Sequence, residues 1–354
     1  MWKWEWICWF VNLVSRDPEE RVRRYRRLIE RLSREADLDG GWWRVFHDYP
    51  KKAVPSTASL SHPNSSDHPD GSTAIVVQGP VIERDDLTIE TLALYRKTMP
   101  HSRLILSTWE GTPTEVIDRI ESLGVSVVTS EMPSDCGPHN LNLQITTTRR
   151  GLQEAEKLGC RHAMKTRADT RIHMADADTL CHDLLREFPF QGTGDQTQRM
   201  IVLDFATHLH VPHHLSDIMM FGRTEDLLVY WSADGRCPGL ATDQTKQLNG
   251  VPLHRIPEII LCRSYLQRSG IEVTEQLDHW WELLAERFLV VDRAMIDLFW
   301  PKYNYNVNQR LEMCGENNRN ALCHFAQWLQ LRSRSLAPSV SADQTQRHVR
   351  NPAA

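Results

Sequence analysis

From residue 73 onward the chain alternates short apolar runs with segments of helical pattern, an alternation that restricts it to an α/β sheet. Thr73-Ala74-Ile75-Val76-Val77-Gln78, closed by Gly79-Pro80, reads as a strand buried on both faces. Residues 86–98 follow as a helix, with an acidic first turn and with Arg96 and Lys97 in the last, as the helix dipole favours. Arg103-Leu104-Ile105-Leu106-Ser107-Thr108 is the second strand. Thr112-Pro113-Thr114-Glu115 reads as a capping box with proline at the first helical position, and Gly124 ends the helix it opens. Val125-Ser126-Val127-Val128-Thr129 is the third strand, residues 142–158 form a helix closed by Gly159, and residues 162–166 are the fourth strand. This order predicts a parallel sheet with right-handed crossovers. Further on, a helix is expected over 178–188, strands of a mixed sheet over 200–205 and 218–222, helical character over 226–230, and an amphipathic helix over 275–288.

The expected organisation is a helical extension over 1–49, a linker over 50–72, one α/β domain over 73–310, a C-terminal helix over 311–337 and a polar, disordered tail over 338–354. Trp2, Trp4, Trp6 and Trp9 crowd a start too short and too charged to span a bilayer. A seat at a membrane interface, a helix packed on the domain and a start assigned too early all fit it. Arg21, Arg23, Arg24, Arg26 and Arg27 suit either a solvated helix face or a patch for anionic lipid.

A formal net charge of -5 argues against a nucleic-acid binder, which is normally basic. The 8 cysteines contain no CxxC pair, so neither a zinc ribbon nor a thioredoxin-type site is expected, and reduced thiols are the default. The 16 histidines include no HExxH.

Lys165-Thr166-Arg167-Ala168-Asp169 concentrates charge where the fourth strand should end. The carboxyl end of such a strand faces the crevice where open α/β sheets bind ligands. A carboxylate able to hold a metal, set among Lys165, Arg167 and Arg171, suits a diphosphate; a surface ion-pair cluster fits the same residues. Gln78-Gly79-Pro80 is neither GxGxxG nor a P-loop, which leaves Gln78 to bond a base or ribose, or simply to end in a turn. Asn140 and Asn142 are good helix caps, and with Gln144 can also bind sugar or nucleotide hydroxyls. Asp217 stands before an apolar run, either as a turn residue or as a base towards an acceptor hydroxyl. Glu258 begins a helix after Pro257, where the dipole stabilises it, and a catalytic role is open.

In order along the chain, Ile75-Val76-Val77-Gln78-Gly79-Pro80, Leu106-Ser107-Thr108-Trp109, Asn140-Leu141-Asn142-Leu143-Gln144-Ile145, Lys165-Thr166-Arg167-Ala168-Asp169, Ser216-Asp217, Phe221-Gly222, Pro257-Glu258 and Lys302-Tyr303-Asn304-Tyr305 resemble the WavE-type lipopolysaccharide-synthesis family. The resemblance implies a nucleotide-sugar transferase of the GT-A type, a Rossmann-like, mainly parallel mixed sheet flanked by helices. It implies a nucleotide-sugar donor, a glycan or lipid-linked acceptor, and a cytoplasmic location, in solution or peripheral at the inner membrane face. Such folds hold a divalent metal, Mn or Mg, on the donor diphosphate through a short acidic motif. Here Asp169 matches the second acid of that motif, and Arg167 replaces the first. The implied donor-binding set is Gln78, Thr108, Asn140, Asn142, Lys165, Arg167 and Asp169, with Asp169 as metal ligand and Asp217 and Arg167 as catalytic groups. A non-catalytic nucleotide-sugar or glycan-binding protein on the same fold is the alternative. A nucleotidyltransferase would want a cationic Gly-rich loop after the first strand, which this chain lacks.

Overall fold

The computed structural model describes residues 71–83, 86–234, 247–248, 251–300 and 322–336. The expected extension over 1–49, nearly all of the linker, the Lys302 to Tyr305 segment and the tail lie outside the described residues. The alternating series forms β1 (Thr73–Gln78), α1 (Leu87–Thr98), β2 (Arg103–Trp109), α2 (Thr114–Glu121), β3 (Ser126–Ser130), α3 (Leu141–Lys157) and β4 (His162–Arg167). Then come β5 (Arg171–Ile172), α4 (Ala177–Glu187), β6 (Met200–Leu203), β7 (Met220–Arg223) and α5 (Thr224–Tyr230). The described chain continues with β8 (Gln247–Leu248), β9 (Val251–Pro252), α6 (Pro257–Arg268), α7 (Leu277–Arg287), β10 (Phe288–Val291), β11 (Leu298–Phe299) and α8 (Phe325–Leu336).

Seven strands make one sheet in the order β10-β6-β7-β4-β1-β2-β3. β1 is parallel to both β2 and β4, and β2 is parallel to β3. The chain therefore moves outward from β1 to β3 and crosses back to β4, so the strand order reverses between β1 and β4. That reversal is where open α/β sheets form a ligand crevice. β7 runs antiparallel to β4 and to β6, and β10 is parallel to β6. In consequence β1, β2, β3, β4, β6 and β10 all present their carboxyl ends on one edge, and β7 presents its start there.

Burial explains which signals were readable. All six residues of β1 are buried, as an apolar run between two covered faces requires. β10 follows α7 with no turn residue between them, so nothing in the sequence separates the strand from the helix before it. The expected capping box does not form: the Thr112 hydroxyl donates to the Trp109 carbonyl at 2.8 Å, and the helix starts at Thr114 after Pro113. The five described cysteines are free thiols. Among the described residues no helix is long and apolar enough to cross a membrane.

α3 lies on β1 and β2 at the closest approach that Gly151 permits. A Cβ at Gly151 would meet Val76 Cγ1 at 2.4 Å and Ser107 Cβ at 3.1 Å. Alanine normally stabilises a helix interior over glycine by roughly 0.5–1 kcal/mol. Overpacking costs roughly 1–3 kcal/mol and here outweighs it. Gly151→Ala should therefore lower the midpoint of urea unfolding; an unchanged or raised midpoint would show that the helix can lift off the sheet without loss.

Candidate active site

The site is built on the last residues of β4. Lys165 is completely buried; its ammonium donates to the Asp217 carbonyl and lies 4.3 Å from the centre of the Trp231 ring. Burial pushes its pKa down to about 7, against the pull of Asp217, Asp169 and Glu258, and Arg167 adds to the depression. Arg167 grips Asp169 with a two-point fork, Nε to Oδ1 at 2.8 Å and Nη2 to Oδ2 at 2.9 Å. β5 pairs antiparallel with β11, and that pairing brings the next residue, Trp300, onto the same corner. The Trp300 indole N–H donates to Asp169 Oδ2 at 3.3 Å, and its ring lies 5.2 Å from the Arg167 guanidinium.

Asp217 reaches this corner because β7 enters the sheet beside β4, with Met220 opposite Lys165. It is only 4% exposed. Glu258 arrives from the first turn of α6. Burial first, and then the Asp217 charge, push its pKa up to about 8, with Lys165 and Arg167 among the groups opposing the rise. Three carboxylates and two cations thus feel one another at a strand end, and two of the groups are tuned near neutrality. Such tuning suits proton transfer and the binding of a multiply charged anion.

The other expected residues share this edge with more ordinary bonding. Gln78 stands beside Arg167 in the β1–β4 register, but its Oε1 accepts the Thr147 hydroxyl at 2.8 Å, which ties it to α3. Thr108 is buried and its hydroxyl lies 3.4 Å from that of Thr112. Asn140 precedes α3 in a left-handed conformation, φ 63°, and makes no side-chain cap; Asn142 donates to the Asp135 carbonyl at 3.1 Å. Arg171 leaves the cluster, donating to the Thr91 hydroxyl and the Leu87 carbonyl of α1. It is a tie between β5 and α1, not a third cation of the site.

A second group of ligand-type side chains occupies the same edge further along. Asp204 and Asp292 directly follow β6 and β10, and His324 stands just before α8. One ligand atom from each lies within 4.8 Å of the others, so the set can hold a metal ion. The signal that found Asp169, an acid closing an apolar strand, applies equally to Asp204 after Met200-Ile201-Val202-Leu203 and to Asp292 after Leu289-Val290-Val291. His324 and Trp300 carry no such local signal. Asp169 itself is a poor metal ligand in this geometry, since Arg167 and Trp300 already engage both of its oxygens.

The fold and the edge define an open α/β protein with a cluster of charged side chains at its strand-order reversal. A family model described as WavE lipopolysaccharide synthesis matches residues 73–354. The chain belongs to that family. A search of curated protein sequences found no match. Among solved structures, 4-diphosphocytidyl-2C-methyl-D-erythritol synthase from Anaerococcus prevotii DSM 20548 is 9% identical at a TM-score of 0.31, covering 56% of this chain and 100% of its own. A cytidylyltransferase from Leptospira borgpetersenii serovar Hardjo-bovis is 12% identical at 0.30, covering 71% and 96%. TarS from S. aureus is 9% identical at 0.33, covering 78% of this chain and 47% of its own.

The Glu258 environment has a measurable signature. With a pKa near 8 in the fold against an ordinary 4.5, Glu258 keeps a proton that the unfolded chain has lost. Its contribution to stability is full below pH about 4.5 and is lost as pH rises through about 8. Lys165 has the opposite slope, confined between about 7 and 10.5. Denaturant unfolding at pH 5, 6 and 7 should therefore show the wild type losing stability relative to Glu258→Gln, and parallel pH profiles would refute the assignment.

Proposed function

We propose that the chain is a glycosyltransferase of the GT-A type that moves a sugar from a nucleotide donor to a glycan or lipid-linked acceptor in lipopolysaccharide or surface polysaccharide synthesis. The observation that carries this reading is the convergence of Lys165, Arg167, Asp169, Asp217 and Glu258 at the carboxyl end of β4. The family supports the setting. On this reading the donor lies over the carboxyl ends of β1 to β4, with Gln78, Thr108, Asn140 and Asn142 on its nucleoside and sugar side. In the reaction the bond from the anomeric carbon to a diphosphate oxygen breaks, and a bond to the acceptor oxygen forms. Arg167 meets the charge that develops on the leaving diphosphate, and the buried Lys165 holds Asp217 in place from beneath. Asp169 positions Arg167 by holding its fork. The acceptor proton goes to Asp217, beside which Glu258 is held in its protonated form. On this reading the protein works in the cytoplasm or at the inner face of the membrane.

The test is to incubate the full chain with a panel of nucleotide sugars and measure release of the nucleoside diphosphate, with and without a lipid-linked glycan acceptor. A transferase consumes one donor and leaks some of it to water. A binding protein would shift its unfolding temperature with a donor and release nothing, which would overturn the enzymatic reading.

Two substitutions sharpen the roles. Asp169→Asn should leave the protein folded and slow transfer by roughly a hundredfold, the scale of losing one preorganised electrostatic contact. Wild-type turnover in a folded Asp169→Asn protein would remove it from the mechanism. Arg167→Lys keeps the charge and loses the planar fork, and donor affinity in titrations should fall roughly tenfold, about 1.4 kcal/mol. Unchanged affinity would show that Arg167 serves Asp169 and not the donor.

A further inference from the structure

Asp204, Asp292 and His324 form a site that the β4 cluster does not use. Asp204 and Asp292 are the next residues after a register pair, Leu203 with Val291, on two parallel strands. The Asp204 N–H continues that ladder to the Val291 carbonyl at 2.9 Å, so two carboxylates leave the sheet side by side. Main-chain donors hold each in place: Arg293 N to Asp204 Oδ1 at 2.8 Å, and Phe325 N to Asp292 Oδ1 at 2.9 Å. His324 is delivered by the short bridge between Leu322 and His208 and by the Cys323 N–H on the Thr207 carbonyl at 2.8 Å. Three tethered segments thus aim three ligand-type side chains at one point.

One nitrogen serves both acids. His324 Nδ1 stands 3.1 Å from Asp204 Oδ2 and 3.4 Å from Asp292 Oδ1. A single N–H can point at one carboxylate only, and Asp204 is 2% exposed, so water does little for it. Arg293 Nε lies 3.9 Å from Asp204 Oδ2, while its guanidinium sits over the Phe205 ring. With His324 neutral, two acids against one arginine leave a net negative charge, and the buried Asp204 carboxylate is costly unless a cation lies against it. Ligands held about 2.1 Å from one metal stand roughly 3.0–3.4 Å from each other in octahedral or tetrahedral geometry, which the two histidine distances match.

We propose that Asp204, Asp292 and His324 bind a first-row divalent cation of the manganese or zinc type, at a centre separate from Asp169. Two carboxylate oxygens and one imidazole suit such ions better than magnesium or calcium, which favour all-oxygen sites. Three protein ligands leave positions open, as in metal sites that meet a substrate and unlike closed structural ones. The centre lies on the carboxyl edge, one aromatic pair from the β4 cluster: the Phe205 ring, next to Asp204, stands 5.5 Å from that of Trp300, which bonds Asp169. Use of the ion on a donor diphosphate or an acceptor hydroxyl rests on the transferase reading; binding of the ion does not.

The full chain, stripped with chelator and dialysed, is titrated with Mn²⁺ and Zn²⁺ by calorimetry and with Co²⁺ by visible absorption, no donor being present. The wild type should take one ion per chain. His324→Gln and Asp292→Asn should each weaken binding at least tenfold, and Asp169→Asn should bind as the wild type does. Far-UV circular dichroism checks the fold of each variant, and the half-exposed Asp292 and His324 give two independent variants. Failure of the wild type to bind stoichiometrically would overturn the site. So would unchanged binding in either folded triad variant, or loss of binding in Asp169→Asn. Because no donor or turnover enters the measurement, failure here leaves the transferase reading standing, and an inactive transferase leaves this site standing.

Discussion

An ammonium taken wholly out of water must find compensation nearby, and Lys165 finds it in the Asp217 carbonyl and the face of Trp231. That pair of contacts fixes more than the lysine. It ties the end of β4 to the segment that enters β7, and it seats the residue that closes α5 against the same corner. The Asp217 side chain is then held at the carboxyl edge, and α6 places Glu258 within its field. Without the buried cation, the two acids would keep only Arg167 as counter-charge on the strand beneath them. The positions of the acids and the burial of the lysine are one arrangement.

Charge at the end of β4 is organised by exchange rather than by excess. The end of β4 carries Arg167 and Asp169, which satisfy each other through a two-point fork. Trp300 completes the Asp169 bonding and stacks beneath Arg167. An arginine so held loses little freedom when it meets a phosphate, because its plane is already set. The same pairing, with Trp300, engages both oxygens of Asp169. The ligand set at Asp204, Asp292 and His324 lies on the half of the sheet beyond β7.

Local pattern was legible where burial is two-sided and punctuation is strong. β1 to β4 appear within about two residues of their expected places, since each apolar run ends at a glycine, a proline or a charged cluster. Lys165, Arg167, Asp169 and Asp217 were readable for the same reason, each lying at a strand end or before one. What could not be read was made by pairing over distance. Trp300 gains its place from the two-residue pairing of β5 with β11, and His324 from an isolated bridge between Leu322 and His208. Arg171 looked like a partner of the cluster, but its guanidinium turns to α1, a choice set by tertiary packing. The Thr112 capping box failed because its hydroxyl bonds the Trp109 carbonyl, three residues back at the end of β2, instead of the helix.

β7 is the one strand of the main sheet that runs against the others, and its direction has a consequence for how such a protein can diversify. Because β6 ends and β7 begins on the same edge, the connection over residues 204–219 starts and finishes beside the charged corner, anchored by Asp204 at one end and Asp217 at the other. Substitutions at residues 209–212 change that connection without altering a strand pairing, whereas Thr207, His208 and residues 213–217 are buried and His208 bridges Leu322. The opposite rim, made by the β1 to β4 connections, is bound to helices whose packing restricts it. A lineage on this scaffold can thus vary one rim of the strand-end edge by editing the few outer residues of a single loop.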